Sequence, residues 1–352
     1  MISHDATESL RASVQQAISD TTPFVIKGCG SKDFYGYPAA QELARLDTST
    51  HRGVMDYTPE ELVIRVRAGT RLAEVQQLLA DNKQMLAFEP PDFKANSTIG
   101  GVIASGLSGP RRPYAGSVRD FVLGLTMITG RGEVLEFGGQ VMKNVAGYDV
   151  SRLVSGSLGT LGVILDVSLK VLPQPELEVS RVLSIASHAF QSRLQSIYTS
   201  HPVSAAAYRD GTLNIRLSGS ETAVNAAKQK IGGDEIDNAS WEALNTLECF
   251  AAATRLWRVS VAPASRLFME EAAVIDWGGG VRWLVDPGYD PRDVLANEDG
   301  HATLMKYDKE LLLSGVEIFQ ALGEPLLGIH KRLKQQFDPA GIFNPGRMYR
   351  DI

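Results

Sequence analysis

Two short glycine-containing loops have the residue types needed to bind a phosphate group. The first follows the apolar residues 24–26 and reads Gly28, Cys29, Gly30, Ser31. The second reads Ser97, Thr98, Ile99, Gly100, Gly101. Glycine lets consecutive backbone N–H groups converge on one anion, and no Cβ blocks the approach. These loops predict a backbone cradle for a phosphate-bearing cofactor, although glycine content alone leaves open an ordinary set of tight turns.

Further glycines recur beside strand-like runs between residues 90 and 173, among them Gly106, Gly159 and Gly162. Glycine is costly inside regular elements, so this placement suggests positive φ or close approach to a ligand. The first loop does not have the G-x-G-x-x-G spacing, because position 33 is Asp. The nicotinamide dinucleotide fingerprint is therefore not met.

Composition restricts the class of protein. The 352 residues suggest two domains, and 44% hydrophobic and 22% charged residues are ordinary for a globular chain. A net charge of −6 without a basic run argues against nucleic acid. The two cysteines, Cys29 and Cys249, are too few for an iron–sulfur cluster. The N-terminus lacks an apolar signal region, and no apolar run is long enough to span a membrane, so we expect a cytoplasmic location.

The elements that position the loops follow from periodicity. Residues 5–19 predict a surface helix, residues 62–66 a strand, and residues 70–84 a helix with Thr70 as its N-cap. Residues 130–132 predict a hairpin turn, and residues 163–171 alternate like a half-buried strand. After Pro173 the order is strand–helix–hairpin–helix–strand, which predicts one sheet with helices on one face. Residues 277–283 predict a tight hairpin turn. In the tail, one helix face carries Leu326, Ile329, Leu333, Phe337.

Four motifs together carry a resemblance to a known family. They are KGCGS, STIGG, the GYDV…GSLGTLGVI block and DPAGIFNPGR. In this order and spacing the chain resembles the FAD-binding proteins of the vanillyl-alcohol oxidase, or PCMH, type. Within that type it is similar to the FAD-binding subunits of bacterial glycolate oxidases.

The resemblance implies an α+β fold in three parts. Residues 1–174 would form a two-lobed PCMH-type FAD-binding domain, and residues 175–312 a smaller α+β cap domain. Residues 313–352 would form a C-terminal helix and a tail that return to the FAD domain.

The resemblance also implies which residues hold FAD. Gly28, Cys29, Gly30 and Ser31 would meet the pyrophosphate, and residues 97–101 would form the second phosphate loop. Gly159, Gly162 and Val163 would lie along the adenosine or the ring, and Asn344 and Arg347 would approach the flavin. Gly106 belongs to the same expected set.

Two departures from the family pattern refine these expectations. The six histidines include no H-x-H pair, so we expect no divalent metal site. No histidine lies in residues 28–31, where some relatives attach flavin, so we expect noncovalent FAD. His301 is either a catalytic base or a structural histidine. Arg258, Arg282 and Arg347 are alternative holders of a substrate carboxylate.

The expected function is that of an FAD-binding subunit in a complex that oxidises glycolate, a small 2-hydroxy acid, to glyoxylate. Its implied partners are a larger catalytic flavin subunit and an iron–sulfur subunit that passes electrons to quinone. Such a complex would be peripheral to the inner face of the cell membrane. A stand-alone FAD-dependent 2-hydroxy-acid dehydrogenase and a non-catalytic scaffold subunit are the alternatives.

Overall fold

The computed structural model describes residues 3–139, 149–296 and 298–352. Gly147 and Tyr148 of the GYDV motif lie outside these residues. The described part of the chain divides into two compact units. Unit 1 comprises residues 1–107, 117–174 and 322–352, and unit 2 comprises residues 108–116 and 175–321.

The helices, in chain order, are α1 (Thr7–Asp20), α2 (Leu72–Asp81), α3 (Ile99–Ser105), α4 (Arg112–Ala115), α5 (Val118–Phe121), α6 (Val150–Val154), α7 (Phe190–Tyr198), α8 (Glu221–Ile231), α9 (Ala239–Asn245), α10 (Pro291–Leu295), α11 (Lys309–Leu313) and α12 (Glu324–Phe337). The strands are β1 (Phe24–Lys27), β2 (Ala44–Asp47), β3 (Val54–Thr58), β4 (Val63–Arg67), β5 (Gln84–Met85), β6 (Val122–Ile128), β7 (Val134–Gly138), β8 (Val163–Lys170), β9 (Leu172–Pro173), β10 (Leu177–Ser184), β11 (Val203–Arg209), β12 (Thr212–Gly219), β13 (Asp234–Ile236), β14 (Leu256–Val261), β15 (Val274–Asp276), β16 (Val281–Val285) and β17 (Gly300–Lys306). The predicted mixture of helices and strands is confirmed.

Unit 1 contains a five-stranded antiparallel sheet in the order β3-β4-β8-β6-β7. The predicted hairpin at residues 130–132 joins β6 to β7. The prediction of a half-buried β8 is wrong, because every residue from Val163 to Leu169 is buried. β8 is the middle strand of the sheet, between β4 and β6, and its Val163 and Leu165 pack into the same cluster as Leu10 and Val14 of α1.

A second core region of unit 1 joins both ends of the chain. Strands β1 and β2 pair in parallel, and α1 packs its buried Leu10 and Val14 into the same cluster as Phe24 of β1. Phe343 of the tail packs edge-on against Phe24, with ring centroids 5.5 Å apart. The N–H of Phe24 donates to the carbonyl of Ile342 at 2.9 Å. The end of the chain therefore supports the strand that precedes the first glycine loop.

The cap prediction for α2 is wrong. Arg71, and not Thr70, occupies the N-cap position, and its side chain makes no capping hydrogen bond. The fully buried Thr70 hydroxyl accepts the N–H of Gly53 at 2.8 Å instead. A buried N–H without a partner is destabilising. The Thr70 hydroxyl therefore accepts the N–H of Gly53 and does not cap the helix.

Unit 2 is built on an eight-stranded antiparallel sheet in the order β13-β10-β12-β11-β15-β16-β14-β17. α7 and α8 pack on one face, where alternate residues of β12 such as Leu213 and Ile215 enter the core. α9 lies against the other face, because the indole N–H of Trp241 donates to Ser180 of β10 at 2.8 Å. The expectation of helices on one face only is therefore wrong. We call this second face, which also bears Arg216, the polar face of the sheet.

The predicted tail helix is present as α12, but its apolar stripe is not a core face. None of its residues is buried, and Leu326 and Ile329 are 47% and 44% exposed. Periodicity identifies an amphipathic helix without saying whether its apolar side is covered. In the described part of the chain, no helix combines the length and the apolar composition needed to cross a lipid bilayer.

Candidate cofactor site

A cavity of about 100 Å³ in unit 1 brings together four separate stretches of the chain. Its walls are formed by the loop after β1, by α3 and its N-cap residue Thr98, by the turn near residue 158 and by the tail. The lining residues are Ile26, Lys27, Gly28, Cys29, Gly30, Ser31, Lys32, Asp33, Thr98, Gly101, Ala104, Ser105, Leu158, Asn344 and Arg347. The two predicted loops thus meet at one place, together with both predicted tail residues.

The two loops approach so closely that position 28 must be glycine. A Cβ on Gly28 would lie 2.5 Å from Thr98 Oγ1, far inside van der Waals contact. The hydroxyl of Thr98 caps α3 by accepting the N–H of Gly101 at 3.3 Å. Ser31 and Ser97 join the loops a second time through a 3.1 Å hydrogen bond between their hydroxyls. The loops therefore form one continuous wall.

A lysine that the sequence motifs did not indicate contributes positive charge to this wall. The Lys32 Nζ donates to Ser97 Oγ at 2.7 Å and lies 5.7 Å from the centre of the Phe93 ring. Burial lowers the pKa of Lys32 to about 8, and the Asp92 carboxylate opposes this shift. Its position directly after KGCGS was the available signal, because a lysine beside a phosphate loop supplies a charge that backbone amides lack.

Asn344 has a supporting role in the wall, and both ends of its side-chain amide form hydrogen bonds within the protein. Its Oδ1 accepts the N–H of Ile26 at 2.7 Å, and its Nδ2 donates to the carbonyl of Leu158 at 2.6 Å. A Cβ on Gly159 would lie 2.6 Å from this Nδ2, so Gly159 makes room for the amide. The resemblance implies that Asn344 approaches the flavin and that Gly159 lies along the adenosine or the ring. In the structure, the bonds of Asn344 connect β1 to the neighbouring turn.

Arg347 is likewise committed to backbone groups. Its guanidinium donates to the carbonyls of Tyr35 at 2.8 Å and Asp33 at 3.1 Å, and also to those of Lys32 and Tyr37. These bonds fix the loop that continues from Ser31. This geometry does not favour the catalytic role predicted for Arg347, that of holding a substrate carboxylate, because its guanidinium donates to backbone carbonyls.

Several glycine-loop residues serve packing and not the cavity. The N–H groups of Ile99 and Gly100 donate to the carbonyls of Thr70 and Ala68, and a Cβ on Gly100 would lie 2.8 Å from the Cβ of Ala68. They are therefore unavailable as the predicted phosphate donors.

The remaining predicted residues also lie in packed backbone. Gly106 ends α3 with φ 66°, and a Cβ at this position would lie 2.9 Å from the Cα of Gly156. A Cβ on Gly162 would lie 2.2 Å from Met127 Cε, and Val163 is fully buried in the core beside Ile128. These residues shape the sheet and turns behind the loops.

The other predicted chemical residues lie in unit 2. Arg282 is fully buried, and its guanidinium donates to the carbonyls of Ser265, Leu267 and Gly279, so it is a structural arginine. His301 lies on β17 with a partly exposed side chain, and desolvation together with the charges of Arg258 and Arg112 lowers its pKa.

The chemistry of the cavity suits the diphosphate of a dinucleotide. The hydroxyl-bearing residues Ser31, Thr98 and Ser105 line it, together with Lys32 and with Gly28, which has no side chain. Drug-sized ligands occupy about 300–1,000 Å³, so a cavity of about 100 Å³ accommodates only part of FAD. The residues present fit a diphosphate, with Gly28, Ser31, Lys32 and Thr98 as its surroundings.

The fold and this site define an FAD-binding flavoprotein domain of the PCMH type. Residues 2–138 match the family model described as "FAD binding domain". Glycolate oxidase subunit GlcE of Escherichia coli (strain K12) is 44% identical over 99% of this chain and 99% of its own length. The chain therefore belongs to the FAD-binding family that contains glycolate oxidase subunit GlcE, and its cofactor is FAD.

Other relatives match over a shorter part. D-2-hydroxyglutarate dehydrogenase of Xanthomonas citri pv. viticola is 35% identical over 40% of this chain and 29% of its own length. Glycolate oxidase subunit GlcD of Bacillus subtilis (strain 168) is 33% identical over 35% of this chain and 26% of its own length. The solved structure of an alkyldihydroxyacetonephosphate synthase superposes with a TM-score of 0.67 over 97% of this chain and 75% of the synthase chain. The sequence identity is 17%, so this similarity supports the fold alone.

Lys32 should make FAD affinity depend on pH. Below a pKa of about 8 its ammonium is charged and attracts the diphosphate, and above it the neutral amine does not. We expect the affinity to fall as pH rises from 7 to 10, by roughly tenfold. Fluorescence titration of the apoprotein with FAD measures this. Lys32→Met should bind FAD weakly at every pH, whereas Lys32→Arg should bind it well and flatten the profile. An unchanged pH profile in Lys32→Met would contradict the assignment.

Proposed function

We propose that this chain is the FAD-binding subunit of a complex that oxidises glycolate to glyoxylate. The observation that carries the proposal is the end-to-end similarity to GlcE, which extends through both units and not only the FAD-binding domain. Removal of two electrons and two protons from the CH–OH group of glycolate gives glyoxylate. FAD, when bound, supplies an acceptor for those two electrons.

The residues of unit 1 support a cofactor-holding role. The loop after β1 is fixed from three sides, by Thr98, by Asn344 and by Arg347. A preformed site binds its ligand without the cost of ordering a mobile loop. This organisation positions a cofactor, and within the described residues no cluster of three or more His, Cys, Asp or Glu side chains forms a candidate metal site.

Under this proposal the remaining redox groups are carried by partner subunits. A larger flavin subunit would contribute the catalytic flavin, and an iron–sulfur subunit would pass electrons on to quinone. The complex would lie at the inner face of the cell membrane. The two cysteines of the chain are too few for a cluster of its own, which is consistent with a separate iron–sulfur protein.

The visible absorption spectrum of the purified chain tests the proposal. We expect noncovalent FAD that is released by denaturation and that glycolate alone does not bleach. When the partner subunits are added, glycolate should bleach the flavin. Bleaching of the chain by glycolate alone would instead support a stand-alone 2-hydroxy-acid dehydrogenase. Absence of flavin after reconstitution with FAD would contradict the proposal.

A further inference from the structure

The polar face of the unit 2 sheet contains two buried N–H donors that lack an acceptor. They are the Nε of Arg258 and the Nε1 of Trp283, and neither has a hydrogen-bond partner among the described residues. The Trp283 residue is only 6% exposed to solvent. A buried donor without an acceptor is destabilising, so a protein that retains two of them together is expected to have an acceptor for them.

The register of the sheet places these donors side by side. Arg258 of β14 is directly opposite Trp283 of β16, so both side chains are on the same face. On the other side of β14, Arg258 is opposite Thr303 and Ser260 is opposite His301 of β17. Directly opposed residues have Cβ atoms about 4.5–5.5 Å apart. The face therefore combines a guanidinium, an indole N–H, an imidazole and two hydroxyls within one small area.

The guanidinium of Arg258 is held in place by an aromatic ring and not by a carboxylate. It lies 5.7 Å from the centre of the Trp277 ring, and the guanidinium of Arg112 lies 4.3 Å from the same ring. Both arginines are close enough to His301 to lower its pKa. Positive charge is thus concentrated at this place, and among the described residues Arg258 has no ion pair within 4.0 Å.

The other half of the same face shows how this sheet normally satisfies buried arginines. Arg111 and Arg216 share the carboxylate of Glu178, with Arg216 Nε at 3.7 Å from it and Arg111 hydrogen-bonded to it. The two arginines hold the pKa of Glu178 below its usual value, although its burial opposes them. The described chain supplies a carboxylate there and none at Arg258, although the donor types are the same.

We propose that Arg258, Trp283 and His301 form a binding site for a small 2-hydroxy or 2-oxo carboxylate. The guanidinium presents a planar fork that matches a carboxylate. Trp283 donates a further hydrogen bond, and the hydroxyls of Ser260 and Thr303 on the same face match the hydroxyl or carbonyl oxygen at C2. This inference deepens the proposed function and depends on it for the identity of the acid, because glycolate and glyoxylate are such carboxylates.

The site also distinguishes among the three arginines that the sequence left as alternatives. Arg282 and Arg347 direct their donors at backbone carbonyls of their own chain. Of these three, Arg258 alone retains a buried donor that has no partner among the described residues. It is therefore the one with hydrogen-bonding capacity left for a ligand.

Tryptophan fluorescence of the full chain, titrated with glycolate, tests the site without measuring turnover. Binding beside Trp277 and Trp283 should change the emission. Acetate should compete, whereas ethylene glycol, which lacks a carboxylate, should not. We expect Arg258→Met to weaken glycolate binding by roughly tenfold or more, and Trp283→Phe by roughly threefold to tenfold. Arg209→Met, which removes an exposed arginine paired with Asp210, is the matched control.

The outcomes separate this inference from the proposed function. If the chain binds FAD and its partner subunits but glycolate does not perturb its fluorescence, the carboxylate site is wrong while the proposed function stands. If Arg258→Met and Trp283→Phe both bind glycolate with the affinity of the wild type, the carboxylate site is wrong as well. If Arg258→Met instead abolishes subunit assembly and glycolate binds nowhere, the missing acceptor is a carboxylate of a partner protein. If the wild-type chain does not bind FAD but does bind glycolate at Arg258, the proposed function is wrong and the carboxylate site stands.

Discussion

Asp338→Ala should lower the free energy of unfolding of unit 1 by about 3–5 kcal/mol. The Asp338 carboxylate is fully buried, and it accepts the N–H groups of Ile342 at 3.1 Å and Phe343 at 2.8 Å. It also accepts the ammonium of Lys334 at 2.7 Å. Removing it leaves a largely buried ammonium without its counter-charge and two amides without an acceptor, in the turn that returns the tail to β1.

Urea denaturation followed by far-ultraviolet circular dichroism measures this loss. Asp338→Asn should be intermediate, because an amide oxygen replaces one acceptor but not the charge. Asp351→Ala is the control, since Asp351 is 75% exposed and only 4.0 Å from Lys331, and such surface pairs contribute about 0–1 kcal/mol. Equal midpoints for Asp338→Ala and Asp351→Ala would show that the buried pair does not support the tail.

Gly28→Ala should weaken FAD binding by roughly tenfold to a hundredfold while the chain remains folded. The new Cβ would lie 2.5 Å from Thr98 Oγ1 and 3.3 Å from Thr98 Cγ2, so the two loops must separate. The hydroxyl does not move freely, because it caps α3. Separation changes the wall that surrounds the diphosphate, whereas the core beneath it is unaffected.

A second substitution makes this prediction specific to the contact. In Gly28→Ala combined with Thr98→Ala, the nearest remaining Thr98 atom is the Cβ at 3.4 Å, an ordinary contact. We expect this double variant to bind FAD more tightly than Gly28→Ala alone, despite the lost cap. Gly323→Ala is the control, because among the described residues a Cβ there meets nothing within 4 Å, and its φ of −62° is one that alanine adopts readily. Isothermal titration of each apoprotein with FAD gives the comparison. If the double variant loses as much FAD affinity as the two single variants together, the steric explanation is wrong.

Sequence patterns predicted the local features of this fold well, but they predicted burial and long-range hydrogen bonds poorly. The helix at residues 5–19 and the hairpin at residues 130–132 follow from periodicity and turn chemistry, which act within a few residues. The burial of β8 and the exposure of α12 depend on what lies across from each element, and alternation or periodicity in one segment contains no such information. The Thr70 hydroxyl was misassigned for the same reason, because its partner Gly53 is 17 residues away.

The candidate site was predicted at the level of loops, and less well at the level of atoms. Glycine in a phosphate-binding motif has two uses, approach by a ligand and approach by another part of the chain, and the sequence does not separate them. Gly28 lines the cavity and also touches Thr98, whereas Gly100 packs on Ala68. Lys32 was missed because a lysine in a polar loop is usually solvated, and only the folded positions of Ser97 and Phe93 reveal that it is partly buried.

The bonds from Asn344 to Ile26 and from Arg347 to the loop after Ser31 cross more than three hundred residues of sequence. The first loop therefore leaves the ribosome more than three hundred residues before Asn344 and Arg347, which support it. We expect cofactor loading to follow translation and not to accompany it. A shortened chain that ends before Asn344 should accumulate as apoprotein even where its sheets have formed.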